Sequence, residues 1–166
     1  MTGQAIGTSL NRGFPGSFAR TPDDIIVSRP VATGAGQIIF GAPVQQNGDS
    51  YLPADATLSM ANFAGFAVRI VKQSIVYVDQ NVGAYLENQP ASVMVRGNIT
   101  VTCKTGAPAV GGAVYVRIAA DGVKAVGDIE ALADGANTVQ LTNCEFNSTA
   151  DSNGACEICI KTRNKA

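Results

Sequence analysis

The chain has 166 residues, of which 46% are apolar and 15% are charged, and its formal net charge is −1 at pH 7. This size and apolar content suit one domain with one hydrophobic core, and they exclude a chain that is disordered over most of its length. A net charge near zero gives no overall attraction to nucleic acid, and the low charged fraction leaves a neutral surface that favours assembly with other proteins.

The first 24 residues predict an irregular N-terminal arm, because they show no helix or strand periodicity and are rich in Gly, Ser, Pro and Thr. The stretch GFPGSFART nevertheless places Phe14 and Phe18 on either side of Pro15. Aromatic side chains are costly to leave in water, so they require a surface to pack against. Two readings stay open: the arm folds back and fills a gap on its own domain, or it packs on a neighbouring protein.

The arm is also basic. Arg12 and Arg20 are the only charged residues of the first 20, and the last six residues carry three basic side chains and no acid. The residues between these ends are net acidic. Solvated basic termini are one interpretation, and contact with acidic neighbours, such as the body of another copy, is the other.

Short β-rich runs separated by turn residues predict a single all-β domain over residues 25–166. The main predicted strands lie at 24–28, 37–41, 65–71, 74–78, 92–103, 113–118, 137–146 and 155–161, and residues 53–62 are compatible with one or two helical turns. About ten short strands and no long helix are typical of a compact β-barrel or β-sandwich. Asp121-Gly122 and the run DSNG at 151–154 predict tight turns.

Alternation along the strands assigns their faces. Residues 65–71 have one face to be buried and Arg69 on the other, and residues 113–118 likewise leave Arg117 outward. Both arginines are therefore expected to be solvated, with pairing between subunits as the alternative. Gly97, in the middle of a long strand, predicts a bulge or bend. The inward residues of the 113–118 strand are expected to be Val114, Val116 and Ile118.

Residues for catalysis and metal binding are scarce. The chain contains no histidine, which removes the commonest general base and the imidazole metal ligands. Cys156 and Cys159 form a CxxC pattern, but Cys103 and Cys144 do not supply a second one, as a zinc site requires. On a strand the two thiols of CxxC face opposite sides, so we expect separate buried thiols. We therefore expect no metal, no cofactor and no enzymatic activity.

Targeting signals are not visible either. The N-terminus has no basic stretch followed by an apolar core, and no apolar run approaches the length of a membrane span. We expect synthesis in a cytosol, reduced cysteines and no association with a membrane.

Several blocks of the sequence, taken in order, resemble one known family. The blocks are GFPGSFAR, FGAPV at 40–44, FAGFAVR at 63–69, YLENQPASVMVRGNITV at 85–101, GGAVYVRI at 111–118 and EFNSTADSNGACEICI at 145–160. They are similar to the structural cement (capsid decoration) proteins of tailed bacteriophages. The resemblance implies a virion protein without catalysis, made in the host cytoplasm, that binds the outer capsid surface, commonly as a homotrimer. Its partner would be the major capsid protein, whose subunit contacts it would reinforce, and not nucleic acid.

On this reading we expect the arm, through Phe14, Pro15, Phe18 and Arg20, to contact the capsid or a neighbouring copy. The alternative function is a carbohydrate-binding or adhesive β domain on a virion or cell surface. It would need exposed aromatic platforms or clustered acids, and the chain offers no Trp and no such cluster. A small hydrolase is the least supported function, because histidine is absent.

Overall fold

The computed structural model describes residues 12–70 and 82–163, and its regular structure is β throughout except for one 3₁₀ turn at Gly135–Asn137. This part of the chain holds no helix long and apolar enough to span a bilayer. Its strands are β1 (Phe18–Pro30), β2 (Ile38–Ile39), β3 (Pro43–Asn47), β4 (Ser50–Pro53), β5 (Phe63–Ala67), β6 (Ala84–Tyr85), β7 (Pro90–Thr105), β8 (Ala113–Arg117), β9 (Ile129–Glu130), β10 (Thr138–Phe146) and β11 (Ala155–Ile160).

Strand β7, 16 residues long, organises the fold. Its C-terminal half pairs antiparallel with β11, which continues through β10 and β8 to β9, and β9 returns to β7 as a parallel neighbour. These pairings close a barrel, and the all-β prediction is confirmed. Val114 and Val116 face its interior as predicted, and Ile118 packs at its edge. Other core residues of the barrel are Ile99, Val101, Leu141, Phe146 and Ile158.

The N-terminal half of β7 carries the remaining strands. β1 and β5 both pair with it, and the sheet continues from β5 through β3 to β4. A second apolar cluster lies on this side of the molecule and includes Val31, Ile38, Val44, Tyr51, Tyr85 and Val93.

Strand β5 lies between the two apolar clusters, so both of its faces are buried, whereas the sequence predicted one buried face for residues 65–71. Phe66 and Val68 belong to the barrel cluster, whereas Ala67 belongs to the second cluster, and all three are fully buried. A strand covered on both sides needs apolar residues at successive positions.

Gly97 marks the irregularity that the sequence predicts. Its φ is +123°, and a Cβ there would lie 2.8 Å from the carbonyl oxygen of Asp23. Beside Gly97 the pairing of the two strands shifts register. From Arg20 to Ile25 strand β1 advances by five residues, while its partner β7 advances only from Asn98 to Arg96. Glycine is therefore required because the bulged β1 backbone passes directly over β7.

Some predicted elements differ from the structure. β1 begins at Phe18, not at residue 24, because pairing with the distant β7 orders a segment that has no alternation of its own. Residues 54–62 form turns after β4 and not a helix. The strand predicted at 74–78 lies outside the described residues. The division into an arm of residues 1–24 and a domain of residues 25–166 stays a prediction.

Arg117 corrects a prediction, because it is fully buried and not solvated. Its guanidinium donates to both carboxylate oxygens of Glu130, to Asp134 at 2.6 Å and to the carbonyl of Ala119 at 3.2 Å. The side chain does leave the barrel interior, but Glu130 in β9, Asp134 just after β9 and Ala119 just after β8 supply its hydrogen-bond partners on that face. The carboxylates, Glu130 first, raise the pKa of Arg117 above its ordinary value.

Candidate functional site

The described part of the arm lies on its own domain through backbone hydrogen bonds. Gly16 N–H donates to the Thr100 carbonyl at 2.8 Å, and Thr100 N–H donates to the Ser17 carbonyl at 2.9 Å. From the other side, Arg69 N–H donates to the Gly16 carbonyl at 2.7 Å. The arm backbone is thus bound both to β7 and to the end of β5.

Gly16 allows this close approach. Its φ is +83°, and a Cβ there would lie 2.8 Å from Arg69 N and 3.0 Å from Gly41 N. Pro15 packs on the other glycine, since a Cβ at Gly41 would lie 2.8 Å from Pro15 Cβ. The Pro15-Gly16 pair therefore fixes the arm by backbone contact, with little use of side chains.

The two aromatic side chains of the arm remain partly in solvent, Phe14 more than Phe18. Phe14 is 67% exposed and Phe18 is 40% exposed. The guanidinium carbon of Arg69 lies 5.1 Å from the Phe14 ring centroid and 5.8 Å from the Phe40 ring centroid, within range of a cation–π interaction. Arg69 is exposed, as predicted from the sequence, and it joins the arm to the body.

We call the exposed apolar residues of this region the arm surface: Phe14, Phe18, Ile39 and Ile70. Ile39 and Ile70 are neighbours in sequence of Phe40 and Arg69. A groove of about 450 Å³ adjoins this surface, and Pro15, Ile39 and Val126 are among the residues that line it. Exposed apolar side chains beside a groove are typical of protein interaction sites.

Arg20 has a partner within the chain. Its Nε donates to Glu157 Oε1 at 2.6 Å, and Asn147 Nδ2 donates to the same oxygen at 2.9 Å. The hydrogen bond to Glu157 raises the pKa of Arg20. The Arg20 side chain is 62% exposed and the Glu157 side chain 10% exposed, so this pair lies at the surface and links β1 to β11.

Arg12 is a contact of the arm that the sequence did not single out as a site residue. Its backbone N–H donates to Asp151 Oδ2 at 3.1 Å, and its guanidinium donates to Thr149 Oγ1 at 3.2 Å. The backbone hydrogen bond from Arg12 is the main cause that lowers the pKa of Asp151. In the sequence only the DSNG turn pointed to this region. The turn places the Asp151 carboxylate next to backbone N–H groups, and those of Asn153 and Ala155 donate to it.

The cysteines are free thiols, and the structure separates those of the CxxC pattern. Cys156 is buried in the barrel core and Cys159 is half-buried. Within residues 12–70 and 82–163, no cluster of three or more Cys, Asp or Glu side chains is arranged to hold a metal ion.

Comparisons with known proteins agree over almost the whole chain. A family model described as "Structural cement protein (E217 gp24/Pam3 gp6)" matches residues 2–161. Among solved structures, a chain from "The capsid of Myoviridae Phage XM1" has a similar fold, with a TM-score of 0.72 and 20% sequence identity, over 99% of this chain and 100% of that chain. No curated protein matches.

Proposed function

The chain belongs to the phage structural cement protein family, and from this we propose that it binds the outer surface of a tailed-phage capsid and reinforces contacts between subunits of the major capsid protein. Membership of the family makes it a structural protein of the virion that associates with the capsid. The outer location, the reinforcement and a trimeric state on the capsid are part of the proposal. So is the assignment of Phe14, Pro15, Phe18 and Arg20 to the contact.

The observation that carries the proposal is an exposed aromatic side chain on a fixed backbone. Phe14 is 67% exposed, although hydrogen bonds and close glycine contacts hold the backbone at Gly16. A side chain presented in this way loses little conformational freedom when it binds, so most of its burial contributes to affinity. Aromatic anchors of this type carry much of the binding energy in protein interfaces.

The other three residues have supporting roles in this proposal. Phe18, at the start of β1, extends the apolar contact, and Pro15 fixes the arm while forming part of the adjoining groove. Arg20 provides a charged edge, since its side chain remains 62% exposed while it pairs with Glu157. Many copies on a symmetric shell then add modest individual contacts into stable binding.

The test is binding of purified variants to undecorated heads. Full burial of a phenylalanine contributes about 1.5–3 kcal/mol, and only the exposed part of each side chain, 67% for Phe14 and 40% for Phe18, remains to be buried on binding. Phe14→Ser should therefore weaken binding by about tenfold, and Phe18→Ser by roughly three- to eightfold. Phe14→Ser should leave the melting temperature nearly unchanged, whereas Phe18→Ser should lower it slightly, because more than half of the Phe18 side chain is already covered. Leu132→Ser is the matched control, because Leu132 is 59% exposed but does not belong to the arm surface.

Two results would count against the proposal. If the wild-type chain does not bind heads, the proposed function is wrong. If it binds, and the phenylalanine variants bind as tightly as Leu132→Ser, the assignment of the arm is wrong while the function stands. A cryo-electron-microscopy map of decorated heads then gives the location of the protein and the number of copies that meet at each site.

A further inference from the structure

The chain contains two Asn-Gly pairs, Asn47-Gly48 and Asn153-Gly154, and each lies in a turn between two strands. Asparagine loses its side-chain amide most readily before glycine, because glycine has no Cβ to shield the backbone nitrogen that attacks the amide. Asn47 is the last residue of β3 and pairs with Ser50, the first residue of β4. The loop between them is therefore two residues long, and its first residue, Gly48, has the positive φ, +55°, that a type II′ turn requires.

The backbone nitrogen of Gly48 is accessible. Asn47 and Gly48 are both exposed, and a Cβ built on Gly48 would meet no atom within 4 Å. The side-chain hydrogen bonds at this turn use carbonyl groups, because Ser50 Oγ donates to the Asn47 carbonyl and Gln46 Nε2 donates to the Gly48 carbonyl. Within residues 12–70 and 82–163, the Gly48 N–H and the Asn47 carboxamide make no hydrogen bond. Nothing in this part of the chain therefore holds either reacting group away from the other.

The Asn153-Gly154 pair is held differently. Gly154 N–H donates to the Asp151 carbonyl at 3.0 Å, and Asn153 N–H donates to Asp151 Oδ1 at 2.9 Å. On the other side, Cys103 N–H in β7 donates to the Gly154 carbonyl at 2.9 Å, and a Cβ on Gly154 would lie 3.0 Å from the Cys103 carbonyl oxygen. An attack by the Gly154 nitrogen on the neighbouring side chain requires this peptide unit to turn, so these hydrogen bonds must break first.

We propose that Asn47 is a site of spontaneous deamidation in the folded protein, and that the fold protects Asn153 from the same reaction. The Gly48 nitrogen attacks Asn47 Cγ, a bond forms between these two atoms, and the bond from Cγ to the side-chain nitrogen breaks. Ammonia leaves and carries away the proton of the Gly48 N–H, which gives a cyclic succinimide. Water then opens the ring at one of its two carbonyl groups, and the product is aspartate or isoaspartate. The reaction consumes one water molecule and oxidises nothing.

Either product changes the hairpin between β3 and β4. The new carboxylate lies two residues from Asp49, whose Oδ1 accepts a hydrogen bond from Arg29 Nη1 at 2.9 Å, so this edge of the molecule gains a second negative charge. Isoaspartate also lengthens the main chain by one atom at residue 47. Because loop length sets the register of a hairpin, the longer chain should disturb the pairing with Ser50. A preparation of the protein should therefore become heterogeneous in charge as it ages.

The test is peptide mapping by mass spectrometry after incubation of the full chain at pH 8, in buffer and in urea. In urea both asparagines should convert at comparable rates, since the fold no longer acts on either. In the folded protein Asn47 should convert about tenfold faster than Asn153, because Gly154 must first give up a hydrogen bond. Enzymatic methylation of isoaspartate should label the peptide that contains residue 47. The proposal is overturned if Asn47 stays an amide in the folded protein, or if Asn153 converts there as fast as Asn47.

Two matched variants assign the reaction to one residue. Asn47→Gln should abolish the main acidic species that isoelectric focusing resolves after incubation, because glutamine would have to close a larger ring that forms more slowly. Asn153→Gln is the control and should age like the wild type. Both side chains are exposed, so both variants should keep the wild-type melting temperature. An acidic species that persists in Asn47→Gln, or disappears in Asn153→Gln, would contradict the assignment. This readout needs no capsid, so it decides the inference whether or not the chain binds heads.

Discussion

Replacing the buried arginine is the sharpest test of the fold. Arg117 and Glu130 are both fully buried, and the guanidinium donates to both oxygens of the Glu130 carboxylate. Arg117→Leu would leave that carboxylate without its counter-ion in a site closed to water. Removing one partner of such a pair costs about 3–5 kcal/mol of unfolding free energy, because the remaining charge stays buried and uncompensated.

The assay is equilibrium unfolding in urea, supported by thermal melting. A loss of 3–5 kcal/mol corresponds to a fall in melting temperature of roughly 6–20 °C for a chain of this length. The double variant Arg117→Leu/Glu130→Leu removes the stranded charge and should recover most of the loss. Asp23→Asn is the control, since the Asp23–Arg96 pair is exposed and should contribute about 0–1 kcal/mol.

A loss below about 1 kcal/mol for Arg117→Leu would refute this reasoning, because the pair would then behave like an exposed ion pair. A double variant no more stable than the single one would also refute it. In that case the guanidinium would act mainly by filling space and by its hydrogen bonds to Asp134 and Ala119.

Three further predictions concern the arm and the thiols. Gly16→Ala should release the arm, because its Cβ would lie 2.8 Å from Arg69 N, and limited proteolysis should then cut near residue 16 at low protease concentration, unlike in the wild type. The pKa of Asp151 is lowered in the folded state, so its stabilising effect is present above its ordinary value, roughly pH 4, and is lost as the pH falls through the lower folded value. Acid unfolding of Asp151→Asn should therefore depend less steeply on pH than that of the wild type, and an identical dependence would contradict the contact with Arg12. Burial raises the pKa of the Cys156 thiol to about 12, so iodoacetamide at pH 8 should leave it unlabelled in the native protein and label it in urea, as mass spectrometry can show.

Local patterns predicted those features that depend on neighbours in the chain. Alternation in β8 identified Val114 and Val116 as core residues, and the Asp121-Gly122 pair forms the predicted turn, with hydrogen bonds in both directions between Asp121 and Lys124. These features succeed because strand pleat and turn geometry act over two to four residues.

The arm was predictable only in part. Its composition marked Phe14 and Phe18 as aromatic side chains that need a surface to pack against, and in the structure both remain partly exposed. The residues that hold the backbone, Arg12 and Gly16, gave no such signal, because their partners Asp151 and Arg69 lie far away in the sequence.

By itself the sequence determined the β class and the approximate strands, because both follow from composition and from short-range pattern, and its resemblance to the cement proteins indicated the family. Only the tertiary structure decided that β9 closes the barrel on β7, that Arg117 is buried against Glu130, and that the arm backbone lies on β7 with its aromatic rings outward. The physical reason is that alternation along a strand predicts on which face of the sheet a side chain lies. What packs against that face depends on segments that are distant in the sequence.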